Sequence, residues 1–474
     1  MDKAKANTGL ILKHVYGIGQ MTEGLFTATF ALFALFYYNQ LLGVSGTLVG
    51  LALGIAFFVD AFTDPIVGTL SDHWRSRLGR RHPFFYLSFI PMGVSLYLLF
   101  SPPELGEFHL FIWLLVTAIA ARISLTLFTV PHMALGAELT TDFTQRTEFV
   151  QSRQLYQFIG LIAGEALAFL VFFRGPAGQL NADAYSPLAL TVAVIMSASV
   201  VITALGTQKA ALHIARPVTH THDKKLKDFI SEILRGFRSS NFRLMAIGTI
   251  AFYLTIGTDL ALSFYVNSFY WALGATHFFY LLIAMPVGCI VGTLFTAQLH
   301  KRFDKRPVLI WGTIWWLGFQ LIPIFLREVH LFPENGDPNL TYTLLTIRFI
   351  QGIGLTQTVV SAGSMLADIS DQNELDTGTR QEGIYFGVFS FCAKSASALG
   401  GFIAGVGLDV INWPVATDGA VATPSSTQIF QLGMFYGPVV GAFTLISLFC
   451  YRRYTLTREE HGRILAALKE RHAS

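Results

Sequence analysis

Two carboxylates, Asp60 and Asp64, stand four residues apart inside an otherwise apolar run, Asp60-Ala-Phe-Thr-Asp64-Pro65-Ile-Val-Gly68-Thr-Leu-Ser-Asp72. On a helix that spacing puts both on one face, one turn above the other. An ionised carboxylate near the middle of a bilayer costs about 2.5–3.5 kcal/mol on insertion scales, and two neighbours also repel. The chemistry that tolerates such a pair is cation binding between them. Helix-end aspartates at the water interface are the plain alternative. Against it, apolar residues continue for two turns before Asp72 and a basic turn holding Arg75, Arg77, Arg80 and Arg81.

The elements that must position these acids follow from composition. Of 474 residues, 53% are hydrophobic and only 13% charged, against roughly 25% charged in soluble domains. The chain reads as an all-α membrane protein. A hydrocarbon core about 30 Å thick needs roughly 20 apolar residues per helix. Twelve such runs are expected, at 15–38, 46–71, 83–101, 108–134, 147–173, 187–207, 242–271, 276–299, 307–327, 341–367, 382–410 and 429–451.

The connections after spans 1, 3, 7 and 11 hold no Lys or Arg, and those after spans 5 and 9 only Arg174 and Arg327. The positive-inside rule therefore predicts a multi-pass protein of the plasma (inner) membrane with both termini cytoplasmic. The three cysteines (Cys289, Cys392, Cys450) lie in apolar runs without paired spacing, so they read as core residues. No signal peptide is read at the N-terminus.

The longest basic connection divides the chain into a six-helix bundle (1–207), a linker (208–241) with an interfacial amphipathic helix over 224–238, a second bundle (242–451) and a tail helix (452–474). The bundles repeat each other. Ile66-Val-Gly-Thr-Leu70 recurs as Ile290-Val-Gly-Thr-Leu294, an offset of 224 residues (290 − 66), and Arg81-His82-Pro83 meets Lys305-Arg306-Pro307 at the same offset (307 − 83). Two pseudo-symmetric six-helix halves with a midway substrate site are the plan of the major facilitator fold.

Ionisable residues within the spans are then candidates for the site. Tyr16, Gln20, Glu23 and Thr27 form one stripe of span 1. Arg122, Thr126, Thr129 and Met133 form another in span 4, and Arg153, Gln157 and Gly160 line up in span 5. Glu165, Asp259, Arg348 and Gln351 are readable either as pairs between helices or as cavity lining. Lys394 lies mid-span, too deep to snorkel, and its charge would offset Asp60 and Asp64 when no cation is present.

On the basic face, Asp72, Arg80, Arg81, Arg146 and Glu148 belong to one half and Asp368, Asp371, Glu374, Arg380 and Glu382 to the other. Opposite charges on both halves can lock that face as a gate. Solvated surface charge, worth under about 1 kcal/mol per pair, is the alternative.

These residues resemble the glycoside–pentoside–hexuronide cation symporters, typified by the melibiose permeases. The resemblance covers nearly the whole chain. It rests on Asp60-Ala-Phe-Thr-Asp64-Pro65, on Gly79-Arg80-Arg81-His82-Pro83, and on Ala367-Asp368-Ile-Ser-Asp371-Gln-Asn-Glu374 leading through Arg380 to Lys394. It implies that Asp60, Asp64 and Thr126 coordinate the coupling cation, that Lys394 lies between cation and sugar, and that Arg153 contacts the sugar. The melibiose permeases also carry aspartates in spans 1 and 4 and a stacking tryptophan. Those positions align here with Gly24 (beside Glu23), Thr129 and Met133.

The expectation is a cation-coupled symporter, with Na⁺ favoured at Asp60, Asp64 and Thr126 and H⁺ the other option. A small organic substrate, a sugar or glycoside, would be held by Tyr16, Gln20, Glu23, Thr129, Arg153, Gln157 and Lys394. A lysolipid carrier of the same superfamily and an uncoupled facilitator are the competing readings. No nucleophile–base spacing, HExxH or phosphate loop suggests an enzyme. Neither a cofactor nor a nucleic-acid partner is implied, and a monomer in the bilayer is expected.

Overall fold

The computed structural model describes residues 11–140, 143–175, 177–213, 237, 239–377, 382–416 and 423–473. Of the expected amphipathic helix over 224–238, all but Phe237 lies outside the described residues.

Twelve long helices are present: α1 (Ile11–Leu41), α2 (Gly46–His73), α3 (His82–Leu99), α4 (Glu107–Glu138), α5 (Phe143–Ala166, continuing as Leu167–Phe172) and α6 (Tyr185–His213) in one half. The other half holds α7 (Ser240–Tyr270), α8 (Ala275–Arg302), α9 (Lys305–Glu328), α10 (Pro338–Thr377), α11 (Glu382–Val410) and α12 (Ser426–Arg453). Eleven are long and apolar enough to cross a membrane by composition. The exception, α10, is longer than the expected span 341–367 and is diluted by Arg348, Gln351 and Gln357.

Packing repeats between halves. The pairs α1–α5, α1–α6, α2–α4, α3–α4 and α3–α6 are answered by α7–α11, α7–α12, α8–α10, α9–α10 and α9–α12. Each pair recurs six helices later, as a duplicated chain requires. A tail helix, α13 (Arg458–Ala473), docks on α10. Its start is capped by the Thr457 hydroxyl, which accepts the Glu460 amide at 3.4 Å.

The halves meet on α2–α11, α1–α7 and α5–α8, and these contacts concentrate at the face opposite the basic loops. There Phe33, Phe36, Phe169, Phe264 and Phe278 interlock, with ring centroids 4.4–5.9 Å apart. The Tyr265 hydroxyl donates to Asn39 (2.8 Å) and the Trp413 indole to Gln40 (2.7 Å), both across the halves.

Only glycine allows α2 and α11 to approach so closely here. A Cβ at Gly405 would lie 2.0 Å from the Gly46 carbonyl. Towards the basic face this close packing is not continued: the Lys394 side chain of α11 is 56% exposed, and a Cβ at Gly387 would meet nothing within 4 Å. The molecule is closed at one face and open at the other.

Candidate cation and substrate site

Two i,i+4 pairs face each other where α2 packs on α4. Asp60 and Asp64 project from α2, Arg122 and Thr126 from α4. The Thr126 hydroxyl lies 2.7 Å from Asp60 Oδ1 and 3.0 Å from Asp64 Oδ1, so three oxygens converge. Pro65 follows immediately; it lacks the N–H that would bond back one turn, which loosens α2 beside its acids.

Each carboxylate also meets a cation. Arg122 reaches Asp60 Oδ2 at 3.6 Å from within the same half. Its guanidinium is caged by aromatic rings, 3.5 Å from the Phe57 centroid and 4.8 Å from that of Phe30. Lys394 comes from α11 in the other half and donates to Asp64 Oδ2 at 2.8 Å. The two cations differ in freedom. The Arg122 side chain is 11% exposed, whereas that of Lys394 is 56% exposed. With both in place the cluster is neutral; without Lys394 it carries one negative charge.

The substrate stripe of span 1 divides in the structure. Tyr16 and Gln20 are 2% and 4% exposed and engage His132 of α4 rather than the opening between the halves. The Tyr16 ring stacks on His132 with centroids 4.3 Å apart, and its hydroxyl donates to the His132 carbonyl at 3.2 Å. His132 in turn lies 2.9 Å from the Tyr16 carbonyl and 3.2 Å from Gln20 Oε1. The reason is helix phase: His132 projects from α4 towards the face of α1 that carries those side chains.

Glu23 is half-buried, accepts the Gln20 amide, and lies within electrostatic reach of Arg153, Arg122 and Lys394. Thr129, Arg153 and Gln157 are half-buried, and Gln157 accepts from Gln154 at 3.1 Å. Gly24 packs directly on α5: a Cβ there would lie 2.1 Å from the Gln157 carbonyl. No carboxylate fits at 24 in this packing, so Glu23 is the acid this stretch can present.

With the basic face open, the expected gate residues are paired locally. Among the described residues, ion pairs on the basic face run within each half. Arg81 donates to Glu138 (2.8 and 3.0 Å), to Ser71 (2.6 Å) and to Asp72, while Arg80 lies 3.4 Å from Glu138. In the other half Lys305 bridges both oxygens of Asp368 at 2.7 Å, and His461 lies 3.0 Å from Asp371. Lys13 pairs with Glu148.

The duplicated motif explains the arrangement. Arg81 and Lys305, at the foot of the third helix of each half, each hold an acid at the basic end of the fourth. Glu138 and His461 were invisible as partners, because their role depends on which helices end side by side. Glu374 is buried; Arg380, and the side chains of Arg146 and Glu382, lie outside the described residues.

A family model for MFS/sugar transport proteins matches residues 15–458. The chain belongs to the major facilitator superfamily, in its glycoside–pentoside–hexuronide cation symporter family. Similar proteins include the inner membrane symporter YicJ of Escherichia coli, 24% identical over 96% of this chain and 94% of that one. The isoprimeverose transporter of Lactiplantibacillus pentosus is also 24% identical, over 97% and 91%. The nucleoside transporter NupG shares the fold, with a TM-score of 0.63 at 14% identity over 95% of this chain and all of that one. The inward-open xylose transporter XylE from E. coli does too, with a TM-score of 0.60 at 14% identity over 95% and 97%. As a family member this symporter-like protein is a multi-pass membrane transporter, not an enzyme.

Proposed function

We propose that this transporter couples a monovalent cation, Na⁺ in the first instance, to the movement of a small glycoside by alternating access. The observation that carries the reading is the charge count at Asp60, Asp64 and Thr126. Arg122 is a fixed partner for Asp60, while Lys394 is a removable partner for Asp64 that belongs to the other half. Withdrawing Lys394 leaves one net negative charge beside three converging oxygens. One monovalent cation restores neutrality there. Lys394 and the cation therefore compete for Asp64, and the competition is settled by how the halves sit.

That competition gives coupling its physical form. A ligand shifts an equilibrium only by its differential affinity for the two states. Here the state that takes Lys394 away from Asp64 binds the cation better, and the state that returns Lys394 expels it. The positive-inside rule makes the basic face cytoplasmic, so the present arrangement, open to that face with Lys394 on Asp64, is a cation-releasing one. Thr126 supports Na⁺ over H⁺, because a neutral oxygen ligand serves a metal ion and is superfluous for a proton.

The test is uptake into proteoliposomes of radiolabelled isoprimeverose and a panel of xylosides, glucosides and lysolipids, under an imposed Na⁺ gradient, an H⁺ gradient, or neither. Glycoside accumulation that follows the Na⁺ gradient and disappears in Asp64→Asn is expected. Accumulation by Asp64→Asn at the wild-type level would overturn the site. Equal uptake under all three conditions would make the protein a facilitator, and uptake confined to lysolipids would remove the glycoside.

A further inference from the structure

The other half carries a polar constellation that the cation site does not use. Asp259, Ser263 and Asn267 follow one another at four-residue spacing on α7 and are 8%, 6% and 3% exposed. They line a cavity of about 60 Å³ together with Arg348 of α10 and the apolar Phe278 and Met285 of α8. Asp259 is fixed in place. Its Oδ1 accepts the Tyr436 hydroxyl and lies 3.5 Å from Arg348, which itself donates to Tyr436 (2.6 Å) and to Gln351 (3.0 Å).

The cavity is lined by hydrogen-bonding groups of both kinds. Asn267 donates its amide hydrogens to the Ser263 carbonyl (2.7 Å) and hydroxyl oxygen (3.1 Å). Asp259 accepts through Oδ1, which leaves its Oδ2 and the Asn267 side-chain carbonyl available as acceptors, and the Ser263 hydroxyl available as a donor. The helix is also irregular there: α7 turns to π geometry over Val266–Tyr270. Such widened turns recur at functional sites.

We propose that this cavity is a hydroxyl-recognition subsite of the transporter, taking a hydroxymethyl group or one diol edge of a glycoside. It rests on the glycoside reading above and adds where the sugar is gripped. Asp259 Oδ2 and the Asn267 carbonyl accept from sugar hydroxyls, and Ser263 donates to one. A cation is a poor occupant, because the Arg348 guanidinium beside Asp259 already cancels its charge. A volume of about 60 Å³ admits the edge of a pyranose but not the ring, so the proposal places the remainder of the sugar outside this cavity. The acidic grip absent at Gly24 and Thr129 is thereby supplied from the opposite half.

Proteoliposomes holding the full-length protein test this with Ser263→Ala and Asn267→Ala, which leave the Asp259–Arg348–Tyr436 cluster intact. Uptake of isoprimeverose and its singly deoxygenated analogues is measured under a Na⁺ gradient. Each variant is expected to raise KM about tenfold for the parent sugar, the loss of roughly one hydrogen bond. KM should be unchanged for the analogue lacking the matching hydroxyl, and Na⁺ dependence should be unaltered. As a second measurement, Ser263→Cys in a background without native cysteines should react with a small methanethiosulfonate and be protected by the sugar.

Unaltered KM in both alanine variants, or labelling that the transported sugar does not slow, would overturn the subsite while leaving the transporter reading standing. A shift in Na⁺ dependence instead of sugar KM would make it a cation site and overturn the proposal. Absence of glycoside uptake by the wild type would defeat both readings together.

Discussion

One carboxylate adds a charged clasp to the aromatic packing of the closed face. Asp409, at the end of α11, accepts the Ser45 hydroxyl at 2.7 Å and the backbone amides of Gly46 and Thr47 at 2.8 and 2.7 Å. Those amides are the first of α2, and Ser45 makes no capping bond of its own. A residue of one half thus caps a helix of the other, where the helix dipole also favours an anion. Opening this face must break all three bonds. Loss of a helix cap costs about 0.5–2 kcal/mol, and a charged cap making three bonds belongs at the upper end of that range. A net loss of about 2 kcal/mol for Asp409→Ala follows, which shifts the closed-to-open ratio about thirtyfold.

Phe36 is wholly buried at this interface, which makes it a reporter. With Cys289, Cys392 and Cys450 replaced and Phe36→Cys introduced, a membrane-impermeant thiol reagent added from the closed face should label about thirtyfold faster when Asp409→Ala is also present. Asp409→Asn, which keeps an acceptor but not the charge, should fall between the two. An Asp409→Ala protein that is folded, judged by its thermal transition, yet labels at the parent rate would refute the argument that this contact holds the face shut.

Removing Lys394 should separate binding from turnover. Lys394→Gln is expected to bind Na⁺ about tenfold or more tightly in a titration of purified protein, because Asp64 loses its competitor, while vesicle uptake falls. Arg122→Gln strands Asp60 among aromatic rings; breaking a buried pair costs about 3–5 kcal/mol. It should appear as a large fall in thermal stability that added Na⁺ partly reverses. Gly24→Asp, though it restores the acid found in the melibiose permeases, should fail to accumulate sugar and should lower expression, since its Cβ would lie 2.1 Å from the Gln157 carbonyl.

Several parts of this architecture were readable in one dimension. The spans were, because a bilayer demands about twenty apolar residues per crossing. So was the duplication, because the repeated Ile-Val-Gly-Thr-Leu and basic-Pro motifs keep one offset. The pair Asp60 and Asp64 stood out because desolvation makes buried charge conspicuous, and a threonine one helix pair away was reachable through the family resemblance. The resemblance also pointed to Lys394, whose depth alone had marked it as functional.

What no periodicity could supply was the phase of one helix against the next. Tyr16 and Gln20 share a stripe with Glu23, yet His132 draws them into their own half. Arg81 and Asp368 lie on opposite halves, and in this open arrangement each is matched inside its half, by Glu138 and by Lys305. Asp409 reads as an unremarkable helix end until α2 begins beside it. Local sequence decides which residues share a helical face, because the 3.6-residue period is a property of the chain alone. Which faces meet, and therefore which charges are paired, shared or left open to a ligand, was decided only by tertiary packing, because a hydrogen bond or a contact ion pair forms only when its two groups come within a few ångströms.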